Sequence, residues 1–116
     1  MGDPVELGKV GELPDGAMKQ VAFQGREILL ARVKDRYYAA DGRCPHMGGD
    51  LSQGKLDGTV LTCPRHSSQF DLVDGHVIRW TDWSGLMLGI ARIIRPPRPL
   101  RVYPVKLDGE RIMAEI

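Results

Sequence analysis

Glycine-containing turn signals recur along the whole chain, and their spacing constrains the fold more than any other feature. They are Pro14-Asp15-Gly16, Gln24-Gly25, Asp41-Gly42, Asp57-Gly58, Asp74-Gly75 and Asp108-Gly109. Short segments rich in β-branched and aromatic residues lie between them, and this composition is typical of β-strands. Many short strands joined by such turns predict an all-β fold, a small antiparallel sandwich or barrel.

Seven segments are predicted to be strands: REILLARV, RYYAA, TVLTC, QFDLV, HVIRW, RVYPVKL and ERIMAEI. The stretch from about 81 to 99 departs from this rhythm, because Leu86, Ile90 and Ile93 follow helical spacing for two turns. The prolines at 96, 97 and 99 end any helix there. We therefore predict an inserted loop with at most a short helix, whose apolar side chains either cover one end of the barrel or form an exposed docking or self-association patch.

The length and charge of the chain limit its class. Its 116 residues suit one domain over 1–116, large enough to bury a core without disulfides. A net charge of +1 gives no general reason to expect nucleic acid or an anionic membrane as a partner. No signal peptide and no apolar run of membrane-spanning length is visible, so we expect a cytoplasmic location.

The soft metal ligands are concentrated in two short segments. Cys44 and His46 form a C-x-H pair, and Cys63 and His66 form a C-x2-H pair. Cys44 and Cys63 are the only two cysteines in the chain. One alternative is a structural zinc site, since zinc accepts two cysteines and two histidines. A single intervening residue, here Pro45, makes it hard for Cys44 and His46 to bind one small ion. The strain disappears if the two residues bind different metals.

The two motifs, Cys44-Pro45-His46 and Cys63-Pro64-Arg65-His66, resemble those of the Rieske [2Fe–2S] family, in which two histidines replace two cysteines on one iron. The later Phe70-Asp71 pair and the Val102–Val105 segment are similar to the smaller Rieske-type ferredoxins. The resemblance implies an antiparallel Rieske (ISP-like) β-sandwich or barrel with a cluster-binding subdomain. The cluster-binding loops would span about 43–70.

The resemblance also implies ligands and a function. Cys44 and Cys63 would bind the buried ferric iron, and His46 and His66 the outer iron, with one [2Fe–2S] cluster per chain. The chain would be a one-electron carrier rather than an enzyme, between a flavin-containing reductase and a terminal oxygenase or another redox enzyme. Two alternatives remain: the small Rieske-like subunit of a nitrite reductase, and a structural zinc-binding interaction module.

Four positions bear on the reduction potential. High-potential Rieske proteins carry a disulfide between positions that are Gly49 and Arg65 in this sequence, so that disulfide is absent here. Phe70 stands where those proteins place a hydroxyl-bearing tyrosine, which predicts a lower potential. Ser68 matches their serine; its hydroxyl either reaches a cluster sulfide or bonds to backbone.

Other charged and titratable residues receive weaker assignments. His76 follows a turn and is predicted to be a solvated side chain rather than a ligand. Arginines near the loops and in the insertion could form a basic collar that attracts an acidic partner. Pro96-Pro97-Arg98-Pro99 could be a third loop beside the cluster. The arginines are Arg43, Arg65, Arg92, Arg95, Arg98 and Arg101.

Overall fold

The computed structural model describes residues 4–45, 48–65, 67–80 and 98–116. Within these ranges it contains eleven β-strands and one short 3₁₀ turn, Leu51–Gln53. The strands are β1 Pro4–Lys9, β2 Met18–Phe23, β3 Arg26–Val33, β4 Arg36–Asp41, β5 Lys55–Asp57, β6 Val60–Thr62, β7 Gln69–Asp71, β8 Val77–Arg79, β9 Val102–Tyr103, β10 Val105–Asp108 and β11 Arg111–Glu115.

The strands form three antiparallel sheets. The first has the order β1-β11-β10, the second β2-β3-β4-β9, and the third β5-β6-β7-β8. The third sheet is a meander of three-residue strands, and the two cysteine loops adjoin it. The predicted all-β antiparallel fold is therefore confirmed, and the third sheet with its loops corresponds to the predicted cluster-binding subdomain.

Strand β3 separates two apolar cores. Ile28 and Leu30 belong to one buried cluster, whereas Leu29 and Ala31 belong to the other. Because successive side chains of a strand point to opposite faces, this alternation places one core on each face of the second sheet. Burial on both faces explains why REILLARV is apolar in its centre instead of alternating with polar residues.

The strand predictions were largely confirmed, with informative exceptions. REILLARV matches β3 from end to end, whereas RVYPVKL is two strands, because Pro104 separates β9 from β10. Strands β1, β2 and β5 were not predicted. Strand β1 begins at Pro4 and contains Gly8 at a register shift, so its sequence lacks the usual β-branched pattern.

The inserted stretch of about 81–99 lies mostly outside the described residues, and so do the predicted helical turns and the apolar cover of the barrel. Its exit is described. Leu100 is buried, and its N–H donates to the carbonyl of Gly75 at 2.8 Å. The described ranges contain no apolar helix of membrane-spanning length.

Candidate functional site

Cys44 and Cys63 lie at the junction of the second and third sheets. Cys44 follows β4, Cys63 follows β6, and each is only 3% exposed. Both belong to one apolar cluster, together with Leu29, Ala31 and Ala40 of the second sheet and with Leu51, Leu61, Phe70, Leu72, Trp80 and Leu100. Residues from both sheets therefore surround the two thiol groups, which are shielded from water.

Two backbone hydrogen bonds hold Cys44 within the first loop. The N–H of Cys44 donates to the carbonyl of Gly49 at 2.9 Å, and the N–H of Gly48 donates to the carbonyl of Cys44 at 2.8 Å. Arg43 and Asp50 form an isolated antiparallel bridge just outside these bonds. The first loop is thus held together at its base. Gly48 has φ +76°, a conformation that glycine adopts at little cost.

The backbone around Cys63 is fixed in a similar way. The N–H of Cys63 donates to the carbonyl of Ser68 at 2.8 Å, which closes the second loop. Arg79 on β8 donates from Nε to the carbonyl of Ser67 at 3.0 Å, anchoring the residue that follows His66. No motif in the sequence predicts this arginine contact.

The two loops touch at Gly49. A Cβ atom at this position would lie 2.9 Å from Cγ of Arg65 and 3.0 Å from Sγ of Cys63. Only glycine lets the first loop approach the second this closely without a displacement. Cys44 and Cys63 are therefore presented by two loops packed against each other. Positions 49 and 65 are neighbours, as expected if they correspond to the disulfide positions of the high-potential proteins.

A family comparison decides what this pair of cysteine loops represents. The model of the Rieske [2Fe–2S] domain matches residues 3–103. The chain belongs to this Rieske family. The predicted cofactor, a [2Fe–2S] cluster, is confirmed by that membership.

Curated relatives agree with the assignment. The ferredoxin component of an alkene monooxygenase system from Xanthobacter autotrophicus (strain ATCC BAA-1158 / Py2) is 31% identical over 111 residues, with 94% of this chain and 78% of the relative covered. The ferredoxin component of a naphthalene 1,2-dioxygenase system from Pseudomonas aeruginosa is 29% identical over 105 residues, with coverage of 90% and 88%. These relatives are electron-transfer components of oxygenase systems, so the prediction of a Rieske electron carrier is confirmed.

A solved structure supports the fold independently. The ferredoxin of carbazole 1,9a-dioxygenase from Nocardioides aromaticivorans IC177 superimposes with a TM-score of 0.77 at 24% identity, covering 97% of this chain and 96% of that one. The curated ferredoxin relatives favour the electron-carrier prediction over the nitrite reductase and zinc-module alternatives.

The described half of the predicted ligand set fits a Rieske cluster. Two buried cysteines lie on loops in contact, with a glycine in place of a side chain beside Cys63 Sγ, and they would supply sulfur ligands to a cluster in a water-poor site. His46 and His66 lie outside the described residues, so their assignment as ligands stays a prediction. The third histidine, His76, is exposed and pairs through Nδ1 with Asp74 Oδ1 at 2.6 Å, consistent with the solvated role predicted for it.

Ser68 resolves one of the questions left open by the sequence. Its side chain is fully buried, and its hydroxyl donates to the backbone carbonyl of Trp80. A serine hydroxyl has a single proton to donate, so this bond takes the one that a cluster sulfide would need. The structure therefore favours the backbone-bonded role of Ser68 over the potential-raising role.

Phe70, which stands where high-potential Rieske proteins place a tyrosine, is completely buried. Its ring meets Trp80 edge to face, with centroids 6.5 Å apart and an interplanar angle of 88°. This geometry is favourable for aromatic pairs. The side chain contributes packing beneath the second loop but carries no hydroxyl.

One arginine of the predicted basic collar is paired with a neighbouring carboxylate. Arg43 is engaged by Glu27, donating from Nη2 to Oε1 at 3.0 Å and also from Nε. Its positive charge is therefore compensated locally. Arg65, Arg98 and Arg101 are exposed, with the Arg101 guanidinium 5.9 Å from the ring centre of Tyr103. Arg92 and Arg95 lie outside the described residues.

Two further residues at the site were missed from the sequence, Gln20 and Asp50. Asp50 caps the 3₁₀ turn, accepting from the N–H of Ser52 at 3.0 Å and its hydroxyl at 2.7 Å. The Asp-x-Ser pattern is a recognisable local capping signal. Gln20 lies on β2, distant in sequence from both loops, and no motif marks it.

Proposed function

We propose that this protein carries single electrons from a flavin-containing reductase to a terminal oxygenase, through a cluster bound by Cys44, His46, Cys63 and His66. The observation that carries the proposal is the pair of buried cysteines on two loops held in contact at Gly49. The relatives that are components of dioxygenase and monooxygenase systems support the choice of partners.

The residues of the chain have distinct parts in this function. A bound Rieske cluster supplies one-electron chemistry, and its histidine ligands raise the potential above that of all-cysteine clusters. Cys44 and Cys63 would provide thiolates on the buried side. The apolar cluster that includes Phe70 and Trp80 excludes water from that side.

We infer a potential in the lower part of the family range, which extends from about −150 to +300 mV. Phe70 carries no hydroxyl, and the Ser68 hydroxyl is bonded to the Trp80 carbonyl. Donors to cluster sulfur stabilise the more negative, reduced state, so their absence lowers the potential. We also propose that the whole chain, 1–116, is one Rieske domain and that it works in the cytoplasm.

The ligand assignment is tested with single variants of the histidines. His46→Ala and His66→Ala should each lose the Rieske EPR signal and most of the iron, because each leaves the outer iron with only one protein ligand. His76→Ala is the matched control, because its imidazole is exposed and paired with Asp74. Retention of the wild-type EPR signal and iron content in either ligand variant would refute the assignment.

The carrier role is tested with the purified holoprotein. A flavin reductase with a limiting amount of NADH should bleach its visible absorbance, and addition of an excess of an oxidised Rieske oxygenase should restore the oxidised spectrum. Omission of the reductase or the oxygenase provides the control for each half of the reaction. A holoprotein that accepts electrons but cannot pass them to any oxygenase component would contradict the proposed partner class.

A further inference from the structure

The side chain of Gln20 extends from β2, at the edge of the second sheet, to the first cysteine loop. Its Nε2 donates to the carbonyl oxygen of Gly42 at 2.7 Å and to Oδ1 of Asp50 at 2.7 Å. An amide nitrogen has two protons, and both are used here. The two acceptors lie at the two ends of the segment that contains Cys44, so one amide group joins its beginning to its end.

Asp50, the second acceptor of the Gln20 amide, is charged. Burial of Asp50 opposes its ionisation, but hydrogen bonds from Ser52 and Gln20 outweigh this and keep its pKa below the usual value. A carboxylate is therefore the acceptor for Gln20 at neutral pH. Hydrogen bonds to ionised groups are shorter and stronger than those between neutral partners.

The surroundings fix the orientation of the amide. Oε1 of Gln20 is buried and has no hydrogen-bond partner in the part of the chain that the structure describes. Such an orphaned acceptor costs free energy, which the two bonds from Nε2 offset. Rotating the amide would place Oε1 against two other acceptors. A Cβ on Gly42 would lie 1.9 Å from Oε1, so glycine is needed beneath the amide.

We propose that Gln20 is a positioning residue for the cluster: it holds Gly42 and Asp50, at the two ends of the first cysteine loop, in place and thereby sets the position of Cys44. Cys44 is two residues from Gly42, and its N–H bonds to Gly49, next to Asp50. A change in the separation of Gly42 and Asp50 therefore displaces the cysteine. This inference rests on the proposed role of Cys44 as an iron ligand.

Two variants separate hydrogen bonding from packing. Gln20→Met keeps the length of the side chain but removes both donors. Gln20→Glu keeps its shape but directs a carboxylate at Asp50 and at the Gly42 carbonyl. In the presence of a chelator, Gln20→Met should lose its visible absorbance about tenfold faster than wild type, the factor expected for one lost bond to a charged group. Gln20→Glu should lose it faster still, because it also adds repulsion between two carboxylates.

Arg32→Met is the matched control. Arg32 also makes two side-chain bonds to backbone carbonyls, from Nη1 to Leu13 at 2.9 Å and from Nε to Lys34 at 2.8 Å. It lies at the end of β3 remote from the cysteine loops. This variant should melt at a lower temperature while its rate of cluster loss and its EPR g-values stay those of wild type.

Three measurements on the holoproteins decide the question: the rate of cluster loss, the EPR g-values of the reduced state, and hydrogen exchange across residues 42–53. The proposal expects all three to change in both Gln20 variants. Unchanged cluster loss and g-values would overturn it, even if exchange increased, because Gln20 would then be merely structural. Where Gln20→Glu yields no folded protein, Gln20→Met decides.

The failure of the ligand assignment is visible separately, as a wild-type protein without a Rieske EPR signal. In that case hydrogen exchange of the purified protein still tests whether Gln20 holds the two ends of the first cysteine loop in place. Faster exchange across residues 42–53 in Gln20→Met, without a change across 32–38, supports the proposal. If exchange in Gln20→Met equals that of wild type across both 42–53 and 32–38, the proposal is overturned.

Discussion

Gly54 offers a sharp test of how closely the third sheet is packed around the second loop. It follows the 3₁₀ turn and precedes β5, where a Cβ atom would lie 2.0 Å from the carbonyl oxygen of Thr62. Its backbone angles, φ −83° and ψ −157°, are extended and accessible to alanine. The expected effect of Gly54→Ala is therefore steric and not conformational.

The size of the effect follows from the clash. Real Cβ atoms do not approach an oxygen closer than about 3 Å, so the methyl group must move the Thr62 carbonyl by roughly 1 Å. Thr62 immediately precedes Cys63, and the atom involved is backbone, which cannot rotate away. Overpacking of this kind costs about 1–3 kcal/mol, which corresponds to a fall of about 4–15 °C in Tm.

The assay is thermal unfolding of the holoprotein at a fixed scan rate, followed by far-UV circular dichroism and by visible absorbance. Gly8→Ala is the matched control, because its Cβ would come closest to the end of the flexible Lys19 side chain, with Nζ 3.0 Å away, and would make ordinary van der Waals contact with Leu30 Cδ2 at 3.5 Å. The control should melt within a few degrees of wild type. A Gly54→Ala protein with the wild-type Tm and cluster spectrum would refute the packing argument.

Three further outcomes are expected. Ser68→Ala should lose about 1–3 kcal/mol of stability, because the buried Trp80 carbonyl loses the hydrogen bond from the Ser68 hydroxyl, while the potential measured by voltammetry stays unchanged; a lower potential would show that the hydroxyl reaches the cluster. Phe70→Tyr should raise the potential if the new hydroxyl donates to sulfur, and an unaltered value would show that it points elsewhere. Burial and the bond to Asp41 raise the pKa of Tyr103 to about 12, so its folded-state pKa exceeds the unfolded value near 10. Its contribution is therefore complete below pH 10 and is lost as pH rises towards 12, and Tyr103→Phe should flatten this alkaline fall in urea unfolding compared with wild type.

Local signals in the sequence were sufficient for much of the fold. Strand β3 was predicted from end to end because a Gln24-Gly25 turn precedes eight residues of strong strand composition. Strand β5 was missed because its three residues, Lys55–Asp57, are too few to show a period. Pro104 divides a continuous strand-like segment, since its missing N–H interrupts the ladder.

The candidate site likewise contains residues that the sequence predicted and residues that it did not. The cysteines were identified because metal ligation requires particular side chains at a characteristic spacing. The contribution of Gln20 was not predictable, because its bonds span 22 and 30 residues and an amide has no distinctive motif. The role of Ser68 was open because its partner, the Trp80 carbonyl, is a backbone group that every residue carries. Such contacts depend on how the sheets assemble.

The burial of both cysteines between two sheets has a consequence for the stability and degradation of the protein in the cell. If Cys44 and Cys63 bind the same iron, the cofactor is a cross-link that closes a loop of about 20 residues, and the entropy removed from the unfolded chain is worth about 3 kcal/mol. That is a large part of the stability of a chain this size. Iron supply would then regulate abundance as well as activity, because chains without metal would unfold more often and be degraded sooner.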